Sequence, residues 1–301
     1  MSRAGPLDCV YSRRYQASGL RHFERLACTH AALAETDGIR FHTPAPVDPA
    51  LLRALHDPVY VEAVLQGTPP LAAASYLPWS PGLVEACLAM LGGQLLAAEL
   101  ALAHGLAVNL ACGFHHAHPA RGGGFCVFNG LALVALAHPT RQVMVLDCDE
   151  HGGDGTEAFC ERLPNLSAIS VYGTRFGLRG GPRSVALAVP EDPDIPRDRL
   201  YLETLDQAID HLLTARPHLL IYQASADSHI DDPKATLRLC SETLQQRDLH
   251  VLRAMHWARI PVLLTLAGGY QAPDTVAQLY RRTIEVAVHL RRDPPPQEPA
   301  A

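Results

Sequence analysis

The stretch VMVLDCDEHGGDG at residues 143–155 decides the fold. Its first four residues are apolar and predict a short β-strand that is buried on both faces, as in a parallel sheet covered by helices. The glycine-rich segment behind them predicts a turn at the carboxyl end of that strand. Asp149 and His151 stand two residues apart in extended chain, so their side chains point the same way and can reach one cation.

Three further apolar runs lead into polar or glycine-rich turns. LAVNL leads into Gly113-Phe-His-His116 after Ala111-Cys112, LLIYQ into Ala226-Asp227 after Ala224-Ser225, and VLLTL into Gly268-Gly-Tyr270 after one alanine. In an open parallel sheet, ligands bind at the edge where the strands end. The four turns therefore predict one active site.

Short apolar runs alternate with longer helical stretches, which predicts a single α/β domain with a mostly parallel sheet over residues 1–290. The tail 291–301 is rich in proline and is expected to be disordered. The predicted strands are Cys9–Ser12, Leu106–Leu110, Val143–Leu146, Ala168–Val171, Leu219–Tyr222 and Val262–Leu266. The predicted helices are Phe23–Ala34, Pro49–Leu55, Pro58–Gln66, Gly82–Ala103, Leu131–Ala137, Leu200–Ala215, Ser241–Ala258 and Thr275–Arg291.

The composition argues against several classes of protein. A net charge of -6 over 301 residues argues against a nucleic-acid-binding surface, which needs a basic face. Eight scattered cysteines indicate reduced thiols in the cytoplasm. The apolar region Gly82–Phe114 is broken by charged residues, so we expect no membrane span. The sequence is compatible with a homo-oligomer but does not define the oligomeric state.

Two sets of residues are candidates for binding a metal or taking part in a reaction. Asp149 and His151, joined by Asp227 from another strand, would complete an open metal site of mixed nitrogen and oxygen ligands. An Asp-x-His pair in a loop is more often a capping or salt-bridge arrangement, but the glycine flanks and the strand end favour the metal.

The second set would carry out proton transfer. His115 and His116 could flank a reacting water, with Asp147 and Asp154 each holding one imidazole by its ring N–H. Tyr270 could present its hydroxyl to a substrate oxygen. The alternatives are a surface pair of histidines and an ordinary tyrosine at a strand edge.

Together these motifs resemble the zinc-dependent histone deacetylase superfamily, and most closely its class IV branch and bacterial relatives. The resemblance rests on GFHHA at 113–117, GFCVFN at 124–129, DCDEHGGDG at 147–155, Ala226-Asp227 and Gly268-Gly-Tyr270. It implies the arginase–deacetylase fold, a three-layer α/β/α domain with about eight strands.

The resemblance also implies a role for each site residue. Asp149, His151 and Asp227 would bind Zn²⁺, and Asp147 would touch a structural K⁺ together with the backbone oxygens of Ser170 and Val171. His116 would be the general base and acid, His115 its electrostatic partner, and Asp147 and Asp154 their orienting carboxylates. Tyr270 would polarise the scissile carbonyl, Phe125 would line the acyl tunnel, and Gly124 and Gly268 would border the substrate.

The chain departs from the family pattern at three places. Gly152 stands where relatives usually have His or Gln, and Gly130 where they often have Asp. Segment 172–180 lacks a clean match for the second aromatic wall of the tunnel, so that either Phe176 supplies it or the tunnel is wider.

The expected function is a zinc-dependent amidohydrolase that removes an acetyl or longer acyl group from an amine such as acyl-lysine. An acetylpolyamine or another small amide is the alternative substrate. Two rivals are an arginase-like manganese ureohydrolase and an inactive sensor of acylated ligands. Tyr270 opposes the first, and the intact set of site residues opposes the second.

Lys234 is the only lysine in the chain. It aligns where relatives carry a residue at the tunnel mouth, one that is acidic in deacetylases acting on polyamines. A cation there would repel a polycation and attract a carboxylate. The alternative is a solvated lysine in a polar loop.

Overall fold

The computed structural model describes residues 5–17 and 20–292. Eight strands form one sheet in the order β2-β1-β3-β8-β7-β4-β5-β6, and every neighbouring pair is parallel. The strands are β1 (Leu7–Val10), β2 (Ile39–His42), β3 (Leu106–Cys112), β4 (Val143–Cys148), β5 (Leu166–Tyr172), β6 (Ser184–Ala188), β7 (Leu219–Ala224) and β8 (Val262–Leu266).

Nine helices of the described chain pack in two groups against this sheet. They are α1 (Arg21–Leu33), α2 (Pro49–Leu55), α3 (Pro58–Gln66), α4 (Pro81–His104), α5 (Gly130–Ala137), α6 (Asp154–Cys160), α7 (Arg197–Ala215), α8 (Ser241–Ala258) and α9 (Pro273–Arg292). Helices α1, α9, α8 and α7 pack in sequence on one another, and α2 to α6 form the second group. The predicted three-layer α/β fold is confirmed.

The four central strands position the site. β3, β8, β7 and β4 are adjacent in the sheet, and β4, β7 and β8 are buried along their whole length. Because the strands are parallel, all four carboxyl ends meet at one edge. The four turns identified in the sequence leave the sheet there.

Local sequence explains why the helices begin where they do. Asp48 and Asp57 cap α2 and α3 by accepting a hydrogen bond from the backbone two residues on, and each helix starts at a proline. Helix α3 ends at Gly67, whose φ of 77° is left-handed and suits glycine. The predicted bounds of both helices are therefore correct.

Several predicted bounds were wrong. β1 lies two residues earlier than predicted, and the prediction contained no β2, β6 or α6. Both missed strands are at the edges of the sheet and are only partly buried. β2 has no continuous apolar run, whereas β6 has one, VALAV at 185–189, that the prediction missed. Arg291 and Arg292 continue helix α9, and the rest of the expected tail lies outside the described residues.

Helix α4 is long and apolar enough to cross a membrane, by length and composition only. In the described chain, 61% of its most apolar window is buried inside the fold. It packs on β3 and α5, which is the position of a core helix.

His56 is buried in its neutral form at the C-terminal end of α2, where its ring packs on those of Phe128 and Phe159. Its Nδ1 donates to the carbonyl of His118 at 3.0 Å, and its Nε2 accepts from the backbone N–H of Asn129 at 3.1 Å. A proton on Nε2 would break the second bond. Burial lowers the pKa of His56 to about 4, although its two backbone neighbours oppose the shift.

We therefore predict that His56 costs stability at acidic pH. Between its ordinary pKa of 6.5 and about 4, the unfolded chain binds a proton that the folded chain does not, so stability falls as the pH falls. Urea unfolding at pH 7 and 4.5 should show that wild type loses about 2 to 3 kcal/mol more than His56→Gln. Parallel losses in the two proteins would contradict this assignment.

Candidate active site

Three side chains converge at the carboxyl edge of the sheet. Asp149 and His151 follow β4, Asp227 follows β7, and their ligand atoms all lie within 4.8 Å of one another. His151 Nδ1 is 3.1 Å from Asp149 Oδ1 and 3.4 Å from Asp227 Oδ2. The structure thus brings together the three predicted metal ligands.

The charges of these residues suit a cation. Both carboxylates are buried, and Asp227 Oδ2 has no hydrogen-bond donor among the described residues. Burial and the charge of Asp149 raise the pKa of Asp227 above its usual value. Burial lowers the pKa of His151, but the two carboxylates outweigh it and raise that pKa to about 10. An orphaned buried oxygen beside a second carboxylate and an imidazole is a fitting donor set for a divalent metal.

Two further carboxylates hold the adjacent histidines. His115 Nδ1 bonds to Asp147 Oδ2, and His116 Nδ1 bonds to Asp154 Oδ1, both at 2.7 Å. Each bond leaves the Nε2 atom of its imidazole available for other partners. The structure therefore pairs these four residues as the sequence predicted.

The two imidazoles differ in charge. Burial opposes protonation of His115, but the carboxylates of Asp147 and Asp149 outweigh it and raise its pKa to about 9. Burial, reinforced by the charge of His115, lowers the pKa of His116 to about 4. His116 is therefore the neutral imidazole of the pair and the one able to accept a proton.

A cleft opens beside Asp149, one of the three predicted metal ligands. We call it the central cleft; its lining includes His22, Arg25, His115, Gly124, Phe125, Asp149, Gly268 and Tyr270. The rings of Phe125 and Tyr270 lie 5.9 Å apart, and His22 packs 4.4 Å from Phe125. Tyr270 and Phe125 thus share one wall of the central cleft.

Lys234 lies at the same wall. Its exposed side chain places Nζ 5.4 Å from the Phe125 ring centre and 5.0 Å from that of Tyr270. Asp232 fixes this arrangement, because Oδ1 accepts from the backbone N–H of Lys234 at 2.9 Å and Oδ2 from that of Tyr270 at 2.7 Å. Asp232 therefore links the backbone of Lys234 to that of Tyr270, and the ammonium group of Lys234 lies beside the rings of Phe125 and Tyr270.

Phe176 lies on the histidine side of the site. Its ring is 3.9 Å from that of His116 and 5.6 Å from that of His151, and 43% of the residue is exposed. Gly152 makes this placement possible, because a Cβ there would lie 2.6 Å from the carbonyl oxygen of Arg175 and 2.8 Å from Leu178. Two of the three departures from the family pattern, Gly152 and segment 172–180, are thus parts of one local structure.

Gly268 allows the backbone after β8 to approach Asp149 and Asp227. A Cβ at this position would lie 2.2 Å from Asp227 Oδ2. Its N–H donates to Asp149 Oδ2 at 3.0 Å, so the backbone binds a ligand carboxylate where a side chain could not fit.

Sequence reasoning missed several residues that hold the site together. His118 Nε2 shares Asp154 with His116 at 2.9 Å, a contact that the sequence HHAH could have indicated. Ser225 bonds to both ligand carboxylates. Glu150 accepts bonds from Thr236 and Leu237, which ties the metal turn to the segment carrying Lys234. No signal in a single sequence identifies Ser225 or Glu150.

The comparisons with known proteins agree with this geometry. The histone deacetylase domain matches residues 20–287. The chain belongs to the histone deacetylase domain family. An uncharacterized protein from Picosynechococcus sp. is 35% identical to it over 267 residues, which is 85% of this chain and 87% of that protein. The resemblance noted in the motifs is therefore confirmed.

Further relatives agree with this family and fold. Histone deacetylase 2 of Arabidopsis thaliana is 32% identical over 60% of this chain and 48% of its own length, so the match spans about half of that relative. Acetylpolyamine aminohydrolase from Burkholderia pseudomallei superposes with a TM-score of 0.77 at 18% identity, covering 94% of this chain and 99% of that one. As a member of the histone deacetylase domain family, the chain is a hydrolase of the deacetylase type.

We predict that Asp232 contributes stability that its neighbour does not. Asp232→Ala leaves the N–H groups of Lys234 and Tyr270 without their acceptor and should cost about 1 to 3 kcal/mol in urea unfolding. Asp231→Ala is the matched control, because its side chain is 76% exposed, and should change stability by no more than about 0.5 kcal/mol. Equal losses in the two variants would contradict the role of Asp232.

Proposed function

We propose that this protein is a zinc-dependent deacylase that hydrolyses the amide of an acylated amine, such as acyl-lysine. The observation that carries the proposal is the group of Asp149, His151 and Asp227, whose ligand atoms converge and whose Asp149 lines the central cleft together with Tyr270. A bound Zn²⁺ would supply Lewis-acid polarisation of the carbonyl and of a water.

His116 would move the proton. Its Nδ1 is held by Asp154, so Nε2 is the atom that takes a proton from water as the water oxygen adds to the carbonyl carbon. The same Nε2 then gives that proton to the amine nitrogen as the C–N bond breaks. The products are a carboxylic acid and the free amine.

Tyr270 and His115 would stabilise the charge that develops. The Tyr270 hydroxyl donates to the oxygen of the tetrahedral intermediate, and burial together with the ligand carboxylates holds the pKa of Tyr270 well above its usual value. It therefore stays a donor at neutral pH. The carboxylates of Asp147 and Asp149 keep His115 positively charged. Burial and that charge lower the pKa of His116, so His116 is neutral before it takes the proton from water.

A single metal fits the donor set better than the two manganese ions of a ureohydrolase. His229, the next candidate ligand after Asp227, bonds instead to Ser241 at 2.9 Å. Among residues 5–17 and 20–292, Asp149, His151 and Asp227 are the one group of His, Cys, Asp or Glu placed to share a metal ion. We also propose a structural K⁺ near Asp147 and its strand partner Ser170, with the backbone of Val171, and a cytoplasmic location for the chain.

The substrate part of the proposal rests on Lys234. Its ammonium group stands beside the rings of Phe125 and Tyr270, at the wall along which a substrate enters the central cleft. We propose that it favours acylated amines carrying a nearby carboxylate and disfavours acetylpolyamines, which are polycations. Acetylpolyamine hydrolysis stays the second candidate because the superposed Burkholderia pseudomallei enzyme is named for it.

We predict the loss of one oxyanion donor in Tyr270→Phe. This variant should keep its zinc and lose roughly 30- to 1,000-fold in kcat, equivalent to about 2 to 4 kcal/mol. The assay uses zinc-loaded protein on acyl-lysine peptides, acetylpolyamines and acyl amino acids, with Asp227→Ala as the variant that should lose zinc and activity together. Wild-type rates in Tyr270→Phe would exclude this role, and no activity on any substrate would count against the proposed function.

The specificity prediction concerns Lys234→Glu. Reversing the charge should raise the ratio of acetylpolyamine to carboxylate-bearing substrate in kcat/KM, and most strongly at low salt. Lys234→Met, which removes the charge and keeps the length, should give an intermediate ratio. The same ratio in all three proteins would show that Lys234 does not select the substrate.

A further inference from the structure

We propose that the hydroxyl of Ser225 positions both metal-ligand carboxylates and thereby sets the affinity of the site for its metal. Ser225 follows β7 directly and precedes Asp227 by two residues. It is buried, with 1% of the residue exposed. This inference rests on the metal site of the proposed function.

The evidence is the contact of one hydroxyl with two ligands. Ser225 Oγ lies 2.9 Å from Asp149 Oδ2 and 2.5 Å from Asp227 Oδ1. These are the oxygens turned away from His151, because its Nδ1 faces Asp149 Oδ1 and Asp227 Oδ2. Each carboxylate thus turns one oxygen to the common point and the other to Ser225.

Backbone donors complete the same pattern on both ligands. Asp149 Oδ2 also accepts from the N–H of Gly268 at 3.0 Å, and Asp227 Oδ1 from that of Glu150 at 3.0 Å. Each outward oxygen therefore has one backbone donor and shares the serine proton. A hydroxyl carries one proton, and Ser225 Oγ also lies 3.1 Å from the carbonyl oxygen of Gly268, so it donates to one of three acceptors at a time. In the described chain, no other side-chain hydroxyl contacts these two carboxylates.

The backbone of Ser225 is itself fixed. Arg247, which is 1% exposed, donates from Nη1 to the carbonyl oxygen of Ser225 at 2.7 Å. The same guanidinium pairs with Asp248 through Nε at 2.9 Å, so it is held in place by a buried ion pair. The hydroxyl therefore approaches the two carboxylates from a rigid support.

Removal of this hydroxyl leaves two buried anions with one donor fewer. Each ligand then keeps a single backbone bond on its outward oxygen and can rotate about its Cβ–Cγ bond. Groups that orient metal ligands in this way typically contribute 10- to 100-fold to metal affinity. The effect is expected on the metal-binding step, with little change in the packing of the fold.

The experiment measures the zinc dissociation constant of the full chain by competition with a chromogenic chelator. Ser225→Ala should bind zinc about 10- to 100-fold more weakly than wild type and gain less in Tm on adding zinc. Ser225→Gly, which removes the hydroxyl and the Cβ, should behave alike. The matched control is Ser228→Ala, because Ser228 lies one residue beyond Asp227 and its buried Oγ contacts no partner in the described structure.

The outcomes separate this inference from the proposed function. Weaker zinc binding in both Ser225 variants, with Ser228→Ala like wild type, supports the positioning role. Equal zinc affinity in all four proteins overturns it. It is also overturned if the Ser225 variants lose as much Tm without zinc as they lose with zinc, because that result indicates a structural role only. A wild-type protein that binds no zinc overturns the proposed function, and this inference with it.

Discussion

Two buried carboxylates held side by side are the constraint on which the rest of the site depends. Asp149 and Asp227 repel each other at the end of two adjacent strands, and one oxygen of Asp227 has no donor in the described chain. The fold offsets this repulsion with hydrogen-bond donors. His151 lies between the inward oxygens, and Ser225 and two backbone N–H groups contact the outward ones. A cation bound between the inward oxygens would offset the repulsion of the two carboxylates.

The two sides of the site differ in character. On one side Phe176 covers His116, where exclusion of water strengthens the bond to Asp154 and favours the neutral imidazole. On the other side Tyr270 stands beside the cation of Lys234, at a wall open to solvent. His116 thus lies against Phe176 on one side, whereas Tyr270 and Lys234 share the other, so a change at Lys234 also alters the surroundings of the proposed oxyanion donor.

The sequence could predict whatever depends on local pattern. Apolar runs that end in polar turns identified the buried strands and therefore the edge where Asp149, His116 and Tyr270 meet. It could not predict the edge strand Ile39–His42, because half-buried residues give no continuous apolar signal. Nor could it identify Ser225, since a serine beside an aspartate is unremarkable until the three-dimensional structure brings Asp149 against it.

The glycine at 152 has an evolutionary consequence. A Cβ there would collide with the carbonyl of Arg175 and with Leu178, the residues that flank Phe176. A side chain at 152 and the present path of segment 175–178 therefore exclude each other. Substitutions at the two places are therefore expected to be epistatic, because a side chain at 152 requires the segment carrying Phe176 to move away from these contacts.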